Sequence, residues 1–216
     1  MTKKKAIVLL SGGLDSSTVL YYALDRGYAV QALVFDYGQR HRKEIMAARA
    51  VARAAGASLE VVKISLPWKG SSLLDLKTHV PVSGVKKGGI PSTYVPARNI
   101  IFLSFAASFA EAVGARVIFI GANALDYSGY PDCRPAFFKA FQKALDQGLK
   151  AGVEHHGVRI ETPLLKLSKA QIIALGLRLG VPYEKTWSCY QGGAQPCGVC
   201  DSCRLRAKGF TEIYAG

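Results

Sequence analysis

The sequence predicts an α/β fold with a doubly wound parallel sheet, followed by a small cysteine-rich module. Five aliphatic residues in a row, at 6–10, are typical of a strand that is buried on both faces of a parallel sheet. Strand-like and helix-like stretches then alternate along the chain, as they do in βαβ units. Four of the five cysteines lie between positions 189 and 203. We therefore predict an α/β domain over residues 1–183 and a second unit over 184–216.

Composition limits the class of protein. Of the 216 residues, 50% are hydrophobic and 20% are charged, which provides a core and excludes global disorder. No apolar run is long enough to span a bilayer, and the basic residues 1–5 lead into a strand rather than a signal peptide, so we expect a soluble cytoplasmic protein. The net charge of +13 is compatible with nucleic acid, with anionic small substrates or with a generally basic surface.

The first predicted strand ends in a glycine loop that leads into a helix. Ser11-Gly12-Gly13 interrupts the aliphatic run, and residues 15–24 have the apolar spacing of a helix. Backbone N–H groups at such a helix start point outward and suit a phosphate, although a simple tight turn would also use two glycines. The loop lacks the Gly-Lys-Ser/Thr of a Walker motif and the third glycine of a dinucleotide-binding fingerprint.

Residues 11–16, Ser-Gly-Gly-Leu-Asp-Ser, closely resemble the pyrophosphate loop of the ATP pyrophosphatase superfamily. The resemblance implies an adenine nucleotide alpha hydrolase-like fold and an enzyme that splits ATP between its α and β phosphates. Asp36 follows the second predicted strand, where ligands of doubly wound proteins bind, although Asp-Tyr-Gly is also common in turns. The residues predicted to bind the nucleotide are Leu10, Ser11, Gly12, Gly13, Leu14, Asp15, Ser16, Ser17, Thr18, Val19, Leu20 and Asp36.

The remaining elements follow in order along the chain. We predict strands at residues 28–35, 58–64, 116–120 and 158–161, and helices at 43–55, 100–113, 135–151 and 169–179. Residues 65–97 are rich in Pro, Gly, Ser and Lys without a steady period, and we expect them to form a mobile flap. Arg98 and Asn99 precede helix 100–113, where an arginine opposes the helix dipole. A charge in that unfavourable position more often binds an anion than stabilises the helix.

The cysteine-rich segment has the spacing of a metal site. Cys189, Cys197, Cys200 and Cys203 include two overlapping C-x-x-C steps after a glycine-rich spacer, which is typical of a structural four-thiolate zinc site. A redox disulfide and an iron–sulfur cluster are the alternatives. We predict a small C-terminal zinc-binding module that acts as a structural clamp, because no basic recognition helix is predicted after it. Cys133 stands apart, either as a packed residue or as part of a site in its own loop.

The order of these motifs resembles the 7-cyano-7-deazaguanine synthase family, QueC. The resemblance runs from about residue 6 to 210 and is most specific at 126–134, Asp-Tyr-Ser-Gly-Tyr-Pro-Asp-Cys-Arg. It implies that 7-carboxy-7-deazaguanine and ammonia are converted to the nitrile with ATP, releasing AMP and diphosphate. It also implies structural zinc, magnesium with the ATP, and a homodimer that requires no nucleic acid. Ala136 departs from the family, whose members usually have an acidic residue there.

The chemistry that the resemblance implies suggests roles for single residues. The predicted catalytic residues are Ser11, Asp15, Arg98 and Asp132. The residues predicted to bind the substrate are Arg98, Asn99, Asp126, Tyr130, Asp132 and Arg134. Asp15 would orient the glycine loop or a magnesium ion, and either Arg98 or Arg134 would neutralise the substrate carboxylate or the charge that develops during the reaction. Asp126 or Asp132 would read the amidine edge of the base, and Tyr127 or Tyr130 would stack on it.

Two other functions agree less well with the sequence. A tRNA-modifying adenylating enzyme, such as a thiolase, would use the zinc module to grip RNA, but 216 residues leave no room for a separate RNA-binding domain. A non-catalytic zinc module that binds nucleic acid would have no need of an intact pyrophosphate loop. The requirement for tRNA therefore separates these alternatives from an enzyme that acts on a free base.

Overall fold

The computed structural model describes residues 3–40, 42–68, 70–75, 77–82, 89–125 and 129–215. Its strands are β1 (Lys5–Leu9), β2 (Ala29–Asp36), β3 (Ser58–Lys63), β4 (Val117–Ile120) and β5 (Arg159–Glu161). They form a five-stranded parallel sheet in the order β3-β2-β1-β4-β5. The described α-helices are α1 (Leu14–Asp25), α2 (Lys43–Ala54), α3 (Arg98–Val113), α4 (Pro135–Gly148), α5 (Lys150–Val153), α6 (Lys169–Arg178) and α7 (Asp201–Tyr214). In the described ranges no helix has the length and apolar character needed to cross a membrane.

The residues of the first aliphatic run divide between two cores, one on each face of the sheet. Ile7 and Leu9 belong to a core that includes residues of α3 and α4, whereas Ala6, Val8 and Leu10 belong to a core with α1, α2 and α6. All five side chains are at most 8% exposed. A strand covered on both faces needs an unbroken aliphatic run rather than an alternating pattern. The predicted doubly wound parallel sheet is confirmed.

The strand order reverses at β1, which pairs with β2 on one side and with β4 on the other. Such a reversal opens a crevice at the carboxyl ends of the strands, where ligands of open α/β sheets bind. The loops after β1 and β4 meet at this crevice. A Cβ atom at Gly121 would come within 2.9 Å of the backbone nitrogen of Ser16, so only glycine allows this approach.

The single helix predicted over 135–151 is wrong. Helix α4 ends at Gly148, Leu149 is extended with φ −97° and ψ 144°, and α5 follows as a separate turn. A Cβ atom at Gly152 would collide with the backbone of Asp146, so the chain folds back on α4 at a position where only glycine fits.

Helix α7 was not predicted, because the cysteine spacing dominates the pattern of this segment. A Cβ atom at Gly209 would lie 2.8 Å from Cδ1 of Ile173, so the glycine lets α7 pack closely on α6. The premise that no basic helix follows the cysteines is wrong, since α7 carries Arg204, Arg206 and Lys208. The division into two units stays a prediction.

The expected flap at 65–97 contains no helix or strand at its described positions. Leu73 and Val95 are nonetheless buried in the core that includes α3. The carbonyl oxygen of Leu73 accepts a hydrogen bond from the backbone N–H of Arg40 at 3.1 Å. Parts of this segment are therefore anchored to the domain, and its mobility stays a prediction.

Candidate active site

A cavity of about 220 Å³ lies at the carboxyl ends of β1, β2 and β4. Its walls come from the glycine loop (residues 11–16), from the start of α3 and from the C-terminal part of the chain. The predicted site residues that line it are Leu10, Ser11, Gly13, Leu14, Asp15, Ser16, Arg98, Asn99 and Tyr130. The described residues that were predicted but do not line it are Gly12, Ser17, Thr18, Val19, Leu20, Asp36, Asp132 and Arg134.

Two serines fix the shape of the glycine loop. The backbone N–H of Ser11 donates to Ser16 Oγ at 3.1 Å, and the two hydroxyl oxygens lie 3.0 Å apart. The Ser16 hydroxyl also donates to the carbonyl oxygen of Gly13 at 3.3 Å. Helix α1 begins directly after Gly13, so its N-terminal N–H groups and positive dipole end lie beside the loop. This arrangement suits phosphate groups.

The two glycines of the loop differ in their steric freedom. Gly12 has φ +78°, and a Cβ atom there would collide with the Glu44 carbonyl oxygen and lie 2.5 Å from Ala48 N. Gly13 has φ −80°, and its Cβ would lie no closer than 3.4 Å, to Ser11 Oγ. We expect Gly12→Ala to lower the free energy of unfolding by at least about 2 kcal/mol, and Gly13→Ala by less than about 1 kcal/mol. Chemical denaturation measures both changes, and equal stability of the two variants would contradict the steric argument.

Asp15, in the first turn of α1, is paired with a lysine that the sequence reasoning missed. Nζ of Lys169 donates to both carboxylate oxygens, at 2.7 and 2.8 Å. The lysine and aspartate side chains are 9% and 17% exposed, so the pair is largely removed from solvent. The two residues are 154 positions apart, and no local spacing connects them. The pair holds Asp15 in one orientation and places an ammonium group beside the glycine loop.

The predicted nucleotide residues further along α1 lie in the core. Val19 and Leu20 are fully buried. The Thr18 hydroxyl lies 2.9 Å from the Leu14 carbonyl oxygen and 2.8 Å from the hydroxyl of Tyr183. Burial raises the pKa of Tyr183 to about 12, so this hydroxyl keeps its proton at neutral pH. These residues orient the helix, and their contact with a nucleotide stays a prediction.

Other predicted ligand residues lie away from the cavity or outside the described ranges. Asp36, the last residue of β2, pairs with Arg42 at 3.2 Å. Arg134 is exposed and directly precedes α4. Asp126 and Tyr127 lie outside the described residues. Of the two arginines predicted as carboxylate ligands, Arg134 is therefore the one that does not reach the cavity lining.

Arg98, the first residue of α3, brings a guanidinium group to the cavity. Its Nη1 donates to the Tyr37 hydroxyl at 3.4 Å, and among the described residues it forms no ion pair. A guanidinium is always charged, and removing it from water is costly unless an anion compensates. The cavity therefore has a site at Arg98 that suits a carboxylate or phosphate.

Aromatic rings surround this guanidinium. Phe102 lies one turn after Arg98 on α3, and its ring centroid is 5.3 Å from that of Tyr37. The hydroxyl of Tyr130 lies 2.7 Å from that of Thr93, which fixes the tyrosine at the cavity lining. Such flat apolar surfaces suit a planar ring system next to the anion site.

Asp132 and Asn99 join the loop before α4 to the start of α3. The Asp132 carboxylate accepts the backbone N–H of Asn99 at 3.0 Å, and Asn99 Nδ2 donates to the Asp132 carbonyl oxygen at 3.0 Å. Asn99 Nδ2 also lies 3.3 Å from Cys133 Sγ. Burial and the charge of Asp132 raise the pKa of Cys133 to about 11, against the opposing effect of Arg98, so the thiol is neutral at pH 7. A catalytic role for Asp132 stays a prediction.

The C-terminal part of the chain completes the cavity. The lining residues from this part are Trp187, Ser188, Tyr190, Ser202, Leu205 and Arg206. The backbone N–H of Trp187 donates to the Gly12 carbonyl oxygen at 2.9 Å, so this wall contacts the glycine loop directly. The sequence reasoning missed all six positions, because no local pattern shows where the chain returns to its first loop.

Four cysteines converge beside this wall. The sulfur atoms of Cys189, Cys197, Cys200 and Cys203 all lie within 4.8 Å of one another, and none is in a disulfide. Sulfur ligands of a tetrahedral zinc ion are ~3.8 Å apart, and the Cys197 and Cys203 sulfurs are 4.0 Å apart. Burial raises the pKa of the Cys197 thiol, but backbone N–H groups of Cys200 and Val199 outweigh this and lower it to about 7. The donor set fits a thiolate-bound metal ion.

A family model described as queuosine biosynthesis protein QueC matches residues 5–214. The chain belongs to the QueC family. The 7-cyano-7-deazaguanine synthase of Thermoplasma acidophilum is 56% identical over 98% of this chain and 90% of that protein. The synthase of the same name from Synechococcus sp. is 52% identical over 98% of this chain and 95% of its own. Membership of QueC, predicted from the order of the motifs, is confirmed.

Solved structures of other proteins share the fold of this QueC chain. A 4-thiouridine synthetase in complex with RNA and ATP has a TM-score of 0.53 at 20% identity, covering 98% of this chain and 50% of that one. The U34-tRNA thiolase NcsA of Methanococcus maripaludis, with its 4Fe-4S cluster, has a TM-score of 0.52 at 15% identity, covering 100% and 72%. At these identities the likeness shows the fold alone. The shared fold agrees with the predicted doubly wound parallel sheet.

Proposed function

We propose that this QueC-family chain converts 7-carboxy-7-deazaguanine and ammonia into 7-cyano-7-deazaguanine, using ATP and releasing AMP and diphosphate. One observation carries the proposal: a single cavity combines a phosphate site at the start of α1 with the guanidinium of Arg98. Relatives that are 52–56% identical over nearly the whole chain are named 7-cyano-7-deazaguanine synthase. The two ends of the site match the two anionic reactants, ATP and a carboxylate.

The nucleotide is proposed to bind at the glycine loop. The Ser11 and Ser16 hydroxyls and the N–H groups at the start of α1 would donate to the phosphates that leave as diphosphate. Lys169 lies beside them and would balance charge that develops on the leaving group. Because Asp15 is held by this lysine, a magnesium ion would bind chiefly to the phosphates of ATP rather than to the carboxylate.

The substrate is proposed to bind at the start of α3. Arg98 would receive its carboxylate, and the rings of Phe102 and Tyr130 would contact the planar deazaguanine. Cys133 lines the same region as a neutral thiol, which agrees with contact to the base rather than with nucleophilic attack. Asn99 is held in place by Asp132, which would orient its side chain at the cavity.

The proposed chemistry proceeds through two adenylated intermediates. A carboxylate is a poor electrophile, so one of its oxygens first attacks the α-phosphorus of ATP and diphosphate leaves. Ammonia then attacks the carboxyl carbon, loses a proton and displaces AMP, which gives the amide. The amide oxygen attacks a second ATP in the same way, and loss of AMP with the remaining N–H protons gives the nitrile.

We propose zinc at the four cysteines, because a cluster of thiolates with near-tetrahedral spacing suits this metal, and its role is structural. We also propose a cytoplasmic location, because free cysteines are typical of reducing compartments.

We propose, finally, that the protein is a homodimer that requires no nucleic acid. Helix α3 exposes the apolar side chains of Ile100 and Phe105 at 41% and 44%, beside the small polar residues Ser104 and Ser108. That face supports association with a second copy.

ATP–diphosphate exchange and AMP formation test the proposed function. Nuclease-treated protein should catalyse exchange only with 7-carboxy-7-deazaguanine present, and should release AMP but no ADP when ammonia is added. The matched control is 7-deazaguanine, which lacks the carboxylate and should support neither reaction. AMP release that appears only after addition of tRNA would overturn the proposal and favour a tRNA-modifying enzyme.

A further inference from the structure

Helix α7 connects the cysteine cluster to the cavity wall. The helix begins immediately after Cys200 and carries Cys203 in its first turn, so a metal ion at the cluster holds the start of the helix. Arg206 lies three residues after Cys203, which is one turn further on the same side of the helix. The arginine lines the cavity, and burial lowers its pKa.

Arg206 binds the connecting segment, residues 183–188, at three points. Its Nη1 donates to Thr186 Oγ1 at 2.6 Å and to Ser188 Oγ at 3.2 Å. Its Nη2 donates to the carbonyl oxygen of Tyr183 at 2.7 Å. All three acceptors are neutral, and among the described residues Arg206 forms no ion pair. The partly buried guanidinium of Arg206 therefore makes all of these hydrogen bonds to a single segment, residues 183–188.

The connecting segment in turn contacts the glycine loop and α1. Besides the Trp187 bond to Gly12, the hydroxyls of Tyr183 and Thr18 lie 2.8 Å apart. The ammonium group of Lys43, on α2, lies 4.8 Å from the centre of the Trp187 ring. The connecting segment therefore contacts α1, α2 and the glycine loop.

We propose that Arg206 is a positioning residue that couples the metal cluster to the nucleotide site through the connecting segment. The inference rests on the proposed function, since it assumes that the glycine loop binds ATP. The planar guanidinium presents several N–H donors in fixed directions, so it can bind two side chains and a carbonyl oxygen at the same time. A single ammonium group cannot hold three acceptors as rigidly. Without the three hydrogen bonds of Arg206, Trp187 is no longer held against the Gly12 carbonyl oxygen. The glycine loop is then no longer pre-organised for phosphate.

The test compares Arg206→Ala with Arg204→Ala, which removes the same charge from an exposed position of α7. Calorimetric titration with a non-hydrolysable α,β-methylene analogue of ATP should show affinity about 5- to 100-fold weaker for Arg206→Ala and unchanged for Arg204→Ala. The KM for ATP should rise while the KM for 7-carboxy-7-deazaguanine stays constant. Elemental analysis should find the metal content of both variants equal to that of the wild type. Arg206→Lys should recover only part of the affinity.

A second variant separates positioning from direct contact with the nucleotide. Thr186→Val removes one acceptor of Arg206 at a residue that does not line the cavity, and it should also weaken analogue binding, by about 3- to 10-fold. Wild-type affinity in Thr186→Val would overturn the proposal and assign Arg206 to direct phosphate contact. Wild-type affinity in metal-replete Arg206→Ala would overturn it entirely. If the wild-type protein does not bind the analogue, the proposed function is wrong, and this outcome is distinct from a wild-type protein that binds and an Arg206→Ala variant that binds equally well.

Discussion

Arg98→Met is expected to lower kcat/KM for 7-carboxy-7-deazaguanine by two to three orders of magnitude. The substrate carboxylate would enter the cavity without a counter-charge, and truncation of one partner of a desolvated charge pair costs about 2–5 kcal/mol. The fold should not weaken, because Arg98 stands at the N-terminus of α3, where its charge opposes the helix dipole. Steady-state kinetics at saturating ATP and a thermal melt measure the two effects.

Arg134→Met is the matched control, since this arginine is exposed and outside the cavity lining. It should retain kcat/KM within about threefold, because exposed charges contribute little to a buried site. If Arg134→Met lost activity and Arg98→Met did not, the carboxylate would bind outside the cavity and the proposed substrate pose would be wrong. A large loss of stability in Arg98→Met would instead make the arginine a structural residue.

Cys203→Ser is expected to release the metal and to unfold the C-terminal wall of the cavity. Metal-binding free energy in a thiolate site is also folding free energy, on the order of 10 kcal/mol for isolated zinc modules. Within a larger domain we expect a loss of at least about 3 kcal/mol in the free energy of unfolding. Because α7 supplies Leu205 and Arg206 to the cavity, ATP affinity should fall as well. Elemental analysis, chemical denaturation and analogue titration report these three quantities.

Cys133→Ser controls for the loss of a thiol elsewhere. Cys133 is buried at 6% exposure and lies outside the cluster, so this variant should keep about one zinc per chain. Its stability should fall by no more than about 2 kcal/mol, since serine is of similar size. Full metal content in Cys203→Ser would show that three thiolates are enough to bind the metal. An iron chromophore in the wild-type protein would show that the four cysteines hold an iron–sulfur cluster instead of zinc.

Local patterns predicted the elements that matter for the site. The first aliphatic run forms β1 and the glycine loop lies between β1 and α1, as the sequence predicts, because both depend on neighbouring residues only. Helix α3 begins at Arg98, slightly before its predicted start at 100. The elements that were missed or wrong have weaker local signals. Helix α7 has few apolar positions and an internal glycine, Gly209. The role of this glycine is visible only in the structure, where it allows close packing against α6. The break at Leu149 likewise depends on a glycine that allows the chain to fold back.

The sequence by itself determined the family, and it predicted a phosphate loop and four metal ligands, since motif spacing and residue type carry each of these patterns. Only the tertiary structure decided which of the predicted residues share one cavity. It separated Arg98 from Arg134, paired Asp15 with Lys169 across 154 positions, brought Trp187 to the glycine loop and placed Arg206 in the wall of the same cavity. The physical reason is that a parallel sheet places distant loops at one edge, and contacts between such loops depend on packing that no periodic pattern in the chain encodes.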